Sequence, residues 1–354
     1  MNSRERFLTA LNLQQPDKVP LFDFLFSPPL FEAVLGKKVK TYEAVDAVEC
    51  ALRLGLDGIW IPIGGYAGYT PQAVGKNSYK DEWGTTYVQS EASWPIDAPS
   101  AYPIANREDY KNWTAPNPDD KERVQPLLDA LKYNKGRLAI LAGVLGPFTA
   151  ATMLMGLEEM SLGFYTDPEL VTDLIQEGEK FSTKAGLHLL AAGADAIIIS
   201  DDLGYANSLF ASPEIMREYA LPPIRRMVET FRSVGAKVIL HCDGNLNKIL
   251  DDVARLGISG LHPIERKADM NLKQIKQKYG KLICPIGNVN SSSTLPYGTK
   301  EEIEAEVKEC LADAAQDGGY IIASDHSLSQ GIPVENVFHM HEAVMKYRKY
   351  PIQL

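Results

Sequence analysis

Apolar residues fall along the chain in short unbroken runs: PLFDF (20–24), DGIWIP (57–62), LAILAGV (138–144), DAIIIS (195–200), KVILHC (237–242), GLHPI (260–264), LICPIG (282–287) and GYIIAS (319–324). The runs do not alternate apolar with polar positions, and strands that are apolar throughout belong to parallel sheets buried on both faces. Between them lie segments of helical period, among them TYEAVDAVECALRLG, DPELVTDLIQEGEKFSTKAGLHLLAAG, SPEIMREYALPPIRRMVETFRSVG and KEEIEAEVKECLADAAQDGG. Several open on Ser, Thr or Asp and close on Gly, as capped helices do. Eight strand–helix units predict an α/β fold, a (β/α)8 TIM barrel forming one domain over residues 1–354. An open doubly wound sheet is the alternative, but no GxGxxG follows the first run. Ahead of the barrel, MNSRERFLTALNLQQPDKVP predicts an amphipathic helix, not a leader peptide, because it is charged early and has no continuous apolar stretch.

Two insertions interrupt the rhythm. Residues 63–100 are rich in Gly, Tyr, Trp and Pro, and YKDEWGTTYVQ within them predicts a hairpin after the second strand, on the C-terminal side of the barrel where substrate lids grow. Before the third strand, DYKNWTAPNPDDKERVQPLLDALKYNKG predicts a turn and a helix.

Charge narrows the function classes. A net charge of -10 argues against a nucleic-acid surface and against anionic membranes, since both need clustered Lys and Arg. No run of about 18 apolar residues offers a membrane span. The four cysteines, Cys50, Cys242, Cys284 and Cys310, lack CxxC spacing, so neither a disulfide framework nor a zinc ribbon is indicated and a reducing, cytoplasmic setting is expected.

In a TIM barrel the C-terminal strand ends share one mouth, where catalytic groups sit. The runs end in Asp23 and Phe24, Trp60, Asp201 and Asp202, His241 to Asp243, Glu265, Asn288, and Asp325 with His326. The sharpest subset is His241, Asp243, Glu265 and His326. Residues two apart on a strand face the same way, so His241 and Asp243 can aim at one point while Cys242 faces away. Imidazole and carboxylate are good zinc ligands, and clustering several acids without a cation is costly, so these four are the expected metal ligands. The competing reading makes His241 a hydrogen-bonded core residue and pairs Glu265 with Arg266 or Lys267. His262 and His188 read as structural, and His339 and His341, on the last helix, as surface residues.

The blocks SRERFLTALNLQQPDKVPL, GPFTAATMLMGLEEMSLGFYTDPELV, SPEIMREYALPPIRRMVE, HCDGN, HPIE, IGNV and GGYIIAS together resemble the uroporphyrinogen decarboxylase superfamily over nearly the whole chain. The resemblance implies three branches. Uroporphyrinogen decarboxylase itself is cofactor-free and holds a polycarboxylate through an Arg-containing segment after the first strand; LFDFLFSPPLFEAVLG here has no Arg, which disfavours that activity. The methylcobalamin:coenzyme M methyltransferases ligate zinc through His-x-Cys and a later Cys, where this chain has His241-x-Asp243 and His326. Cobalamin-independent methionine synthase has a similar zinc site, whose Glu is matched in placement by Glu265. Thiolate ligands soften zinc, whereas N and O ligands leave it a stronger Lewis acid suited to an ether oxygen.

That points to the third branch, methyltransferases moving a methyl group from an O-methyl compound, an aryl methyl ether, to cob(I)alamin. No D-x-H-x-x-G pattern of a cobalamin-carrying domain is present, so the cobalamin is expected on a separate corrinoid protein. The expected partners are therefore a small-molecule methyl donor and that protein. Asp202 and Tyr205 are candidates to orient substrate or protonate the departing oxygen, with helix capping as the other use for Asp201 or Asp202. Phe24, Trp60 and Asn288 are candidate substrate contacts, and Phe26, Tyr66, Tyr69 and Trp83 can add aromatic walls. A catalytically silent ligand-binding relative is the remaining alternative.

Overall fold

The computed structural model describes residues 1–61, 69–91 and 94–354. Six parallel strands run side by side around the wall in the order Gly58–Ile61, Ala139–Leu145, Ala196–Ser200, Lys237–His241, Gly260–His262 and Cys284–Pro285. The wall closes through single parallel bridges, Ile286 to Ile321 and Leu21 to Ile322, and through the Asp57 N–H donating to the Leu21 carbonyl at 2.8 Å. Above the closure, Leu25–Phe26 pairs in parallel with Leu328–Ser329. The chain is thus a closed α/β barrel with helices outside, as its unbroken apolar runs predict.

Those runs do alternate, between two cores. Ile197 and Ile199 face the outer layer between strands and helices, whereas Ala196 and Ile198 face the barrel interior with Leu141, Ile239, Ile286 and Ile321. Both sides are apolar, so the period of two is invisible in the sequence.

The predicted N-terminal helix is Ser3–Leu11, opened by a capping box between Asn2 and Glu5. Its Phe7, Ala10 and Leu11 belong to the interior core and close the bottom of the barrel. Gly58 permits this approach, since a Cβ there would meet the Phe7 ring at 2.9 Å. The fully buried Asp57 fastens the same end, accepting from Arg6 at 2.5 Å, from Arg348 at 2.7 Å and from the Leu21 N–H at 2.9 Å. The C-terminal mouth is left as the opposite, open end.

The hairpin expected at 79–89 is present, Ser78–Lys80 against Thr86–Val88, within a four-stranded antiparallel meander completed by Gln72–Gly75 and Ala98–Ala101. The second insertion forms the helix Arg107–Asn112, a 3-10 turn at Lys121–Val124 and the helix Gln125–Asn134. Among the described residues no helix is long and apolar enough to cross a membrane.

One expectation on the outer helices is overturned. His341 is only 5% exposed, and burial lowers its pKa to about 4, so it is a neutral core residue on the inner face of Val334–Tyr347 and not a surface one. His188 is an exposed partner of Asp119 at 2.7 Å.

Candidate active site

The fifth strand, Lys237–His241, ends with its last side chain inside the mouth. Asp243 returns to the same side, with Oδ1 3.6 Å from His241 Nε2, as the two-residue spacing predicts. Cys242 faces the other way: it is buried, and its Sγ accepts from the Leu203 N–H at 3.2 Å. The following loop turns at Gly244, whose φ of +90° suits glycine, and whose Cβ position lies 2.6 Å from the Gly204 backbone. That close passage sets the Gly244 N–H against Glu265 Oε2 at 3.0 Å.

Asp202, just past the strand Ala196–Ser200, completes a tight group. One donor atom each from Asp202, His241 and Asp243 lies within 4.8 Å of the others. Asp202 Oδ1 accepts the Asp243 N–H at 3.0 Å. Asp243 Oδ1 is buried and has no hydrogen-bond partner, a costly condition for a carboxylate oxygen unless a cation meets it. The group therefore suits a metal ion bound through nitrogen and oxygen.

Support comes from both sides. His241 Nδ1 lies 2.8 Å from Nδ1 of His262, which burial and the neighbouring His241 hold well below the ordinary histidine pKa. For a metal to bind, His241 has to be neutral; with its one proton on Nδ1, facing His262, its Nε2 lone pair would face the cavity. On the other flank, His326 Nε2 lies 2.7 Å from Asp243 Oδ2 and its Nδ1 lies 2.7 Å from Ser327 Oγ. Burial works against the His326 charge, but the bond to Asp243 carries its pKa up to about 9. Burial likewise opposes the Asp243 charge, yet His241 and His326 hold that carboxyl well below its usual range. Asp202 is raised, by burial first and by Asp243 next.

Of the four expected ligands, His241 and Asp243 lie in the tight group. His326 engages it through Asp243. Glu265 lines the mouth but is tied to Gly244, with its pKa raised chiefly by burial. Asp202, expected to orient substrate or protonate the departing oxygen, lines the cavity and lies among the ligand candidates as well.

The cavity above this group measures about 510 Å³. Phe24, Phe26 and Trp60 form one wall, Phe24 stacking on Trp60 with centroids 4.5 Å apart. Thr149, Ser291, Ser327 and Ser329 face it with hydroxyls, and no Lys or Arg is among the described residues that line it. Sequence reasoning missed Thr149 and Ser291 because they follow strand ends by several residues, Thr149 in the first turn of the helix Pro147–Met155 and Ser291 on a turn, where the strand period no longer applies.

The other predicted groups do not line this cavity. Asn288 is buried, and its amide donates to the Ile264 carbonyl. Tyr205 sits on the rim, half exposed, with its ring beside Phe210 at 5.9 Å. Tyr69 and Trp83 line a neighbouring cavity, and Tyr66 lies outside the described residues.

Three acids at strand ends also turn away from the mouth. Asp23 accepts from the Ser324 N–H and hydroxyl at 2.9 and 2.5 Å. Asp325 binds Ser291 and the Arg266 N–H. Asp201 caps a helix as expected, but the preceding one, Pro147–Met155, through the Phe148 and Thr149 N–H groups at 3.3 and 2.7 Å. Gly146 makes this cap possible, since a Cβ there would fall 2.0 Å from the Asp201 Cβ.

A closed parallel barrel carrying carboxylates and imidazoles at its C-terminal mouth places the chain among barrel enzymes whose chemistry is built from strand ends. Residues 97–347 match the family model for uroporphyrinogen decarboxylase (URO-D), and the chain belongs to that family. A methylcobamide:CoM methyltransferase MtaA of Methanosarcina barkeri is 28% identical over 61% of this chain and 62% of its own length. The chain thus matches less than two thirds of that relative. A uroporphyrinogen decarboxylase of Geobacter sulfurreducens is 27% identical over 69% of this chain and 71% of its own. A solved methyltransferase from Methanosarcina mazei superposes with a TM-score of 0.76 over 98% of this chain and 99% of that one, at 23% identity, a likeness of fold.

Proposed function

We propose that the protein is a zinc-dependent methyltransferase that moves a methyl group from an O-methyl compound, an aryl methyl ether, to cob(I)alamin held on a separate corrinoid protein. The observation that carries this reading is the Asp202, His241 and Asp243 group, all nitrogen and oxygen donors, with the one nearby thiol, Cys242, turned into the core. Bound there, zinc would supply Lewis acidity toward an ether oxygen. Against uroporphyrinogen decarboxylation stands a mouth whose described lining has acids and no Lys or Arg to meet a polycarboxylate.

The chain's own residues do the rest. The stacked pair of Phe24 and Trp60 offers a flat apolar wall for an aromatic ring. His326, held between Asp243 and Ser327, fixes the carboxylate that faces the ligand group. Glu265, open to the cavity, is the acid placed to protonate the departing oxygen, which would keep the electron pair of the broken C–O bond while the corrinoid, as methyl acceptor, would supply the pair for the new bond to the methyl group.

Methyl transfer to a thiol is the second reading, favoured by the name of the Methanosarcina barkeri relative. The two separate in one set of assays: purified protein and a corrinoid protein with a methoxylated aromatic as donor, or methylated corrinoid protein with a thiol as acceptor, each with and without a chelator. Demethylation that disappears with the metal and returns with zinc is expected. Unchanged demethylation after full metal removal would overturn the mechanism, and activity only with a thiol acceptor would select the second reading.

A further inference from the structure

Beside the mouth and beneath the antiparallel meander lies a second cavity of about 60 Å³, room for roughly four water-sized groups. Five rings line it: Tyr69, Tyr79, Trp83, Tyr87 and Phe181. They brace one another, Tyr79 stacking on Tyr87 at 5.4 Å and Trp83 meeting Phe181 edge-on at 4.8 Å. Two carboxylates, Asp81 and Asp97, join the lining, and no Lys or Arg is among the described residues that line it. Asp81 accepts from the Thr85 N–H at 2.8 Å and from the Tyr87 hydroxyl, and Asp97 accepts from the Ser90 N–H at 3.3 Å and from the Tyr79 hydroxyl, so backbone and phenols hold them, with no cation among the described residues. The nearest guanidinium, Arg123 behind Phe181, is matched by both Glu82 oxygens at 2.6 and 2.5 Å. Ile96, Leu145 and Met153 line this cavity and the mouth alike, so the two share a wall.

The two acids disfavour an anion, and their hydrogen bonds from backbone and phenols satisfy them as acceptors without supplying the positive charge that a bound cation would. A methylated ammonium suits every element: ring faces replace its water, carboxylates match its charge, and a quaternary nitrogen has no N–H that needs an acceptor. We propose that this aromatic cage binds the methylated ammonium head of the methyl donor, whose methoxy end reaches the mouth. The link to the donor rests on the methyl-transfer reading above; binding of the ammonium group does not.

Calorimetric titration of the metal-loaded protein with choline and with 3,3-dimethylbutan-1-ol, its uncharged carbon isostere, tests the cage without any variant. Choline should bind at least about tenfold more tightly. Tyr79→Leu and Asp97→Asn should each weaken choline by about five- to tenfold while metal content stays unchanged. As donors, (4-methoxybenzyl)trimethylammonium should exceed its carbon isostere by about tenfold in kcat/KM. Equal binding of choline and isostere, or no choline binding at tens of millimolar, overturns the cage. Choline binding with equal turnover of the two donors overturns its link to the donor. Transfer from a neutral methoxyarene, assayed on the same preparation, separates the readings: a failed cage with transfer intact leaves the methyl-transfer reading standing, and an intact cage with no transfer from any ether defeats that reading alone.

Discussion

From Gly58 round to Pro285 the barrel wall is an uninterrupted parallel ladder, whereas the stretch joining residues 286–289, 321–324 and 21–26 is held by single bridges and short pairings. Polar side chains carry the seam. Asp23 binds Ser324, Asp325 binds Ser291 and Arg266, Asn288 binds the Ile264 carbonyl, and the Tyr320 hydroxyl donates to the Gly287 carbonyl. On the ladder side the backbone satisfies itself, so Asp202, His241 and Asp243 at the strand ends are free to face the cavity. Acids that look alike in sequence thus divide by what the wall beneath them requires.

The sharpest test of that division is removal of the ladder-side groups. His241→Ala and Asp243→Ala should each abolish metal binding and lower methyl transfer by more than the roughly 10- to 100-fold that an outer partner is worth, with little change in thermal stability. His326→Ala should fall within that 10- to 100-fold range with metal retained at high concentration. Metal analysis and circular dichroism melts on the same samples check both, and a large stability loss in His241→Ala would make that residue part of the scaffold.

The seam should answer in the opposite way. Asp325→Ala leaves two backbone N–H groups and a hydroxyl without their acceptor in a fully buried place, at a cost of about 2 to 4 kcal/mol. Denaturant unfolding should show that loss while zinc affinity changes little. If zinc affinity collapses instead, the seam and the site are one unit and the comparison fails.

Legibility from sequence follows the same line. The six ladder strands and the closed barrel were readable because burial on both faces makes apolar runs conspicuous, whereas the first and last runs form only single bridges, and His241 with Asp243 was readable because the period of two carries on just past the strand end. Along the seam the backbone is not extended for long enough to keep that period, so Asp23, Asn288 and Asp325 read as rim groups when they are fasteners. Asp201 was ambiguous for another reason: its cap serves a helix earlier in the chain, a pairing that only the packed neighbour and Gly146 reveal.

Acidity offers a subtler probe of the seam. Burial raises the Asp23 pKa from 3.8 to about 7, against the two bonds from Ser324. Unfolded, the group loses its proton near 3.8 and folded near 7, so between these values the folded state holds more protons and stability falls as pH rises from about 4 to about 7. The drop is on the order of 4 kcal/mol. Asp201, raised by burial to about 7 as well, adds a slope of the same sign. Asp23→Asn should therefore flatten the pH profile of unfolding in part, and an unchanged slope would mean that Asp23 stays ionised in the fold.

The smallest effect expected is at Tyr205, and it bears on how the mouth is bounded. Its strand, Gly204–Tyr205, forms a two-stranded ribbon with Ser208–Leu209, and its backbone carbonyl accepts from the Asn245 N–H at 3.0 Å, so the main chain of this residue helps set the loop that carries Asp243 and Gly244. The side chain is a different matter: it is 50% exposed, lies beside Phe210 and does not line the cavity. A phenol in that position can deliver a proton to the ether oxygen only if the ribbon folds inward when the corrinoid protein docks. Tyr205→Phe keeps the ring and the backbone and deletes only the hydroxyl, so kcat should change by less than about threefold, the loss of one solvated hydrogen bond. Glu265→Gln, which removes the cavity-facing acid and leaves an acceptor for the Gly244 N–H, should cost about a hundredfold, as general-acid catalysis is worth that or more. If instead Tyr205→Phe is the slower of the two, the proton comes from the rim, and the ladder side owes its chemistry to a conformation closed around both proteins.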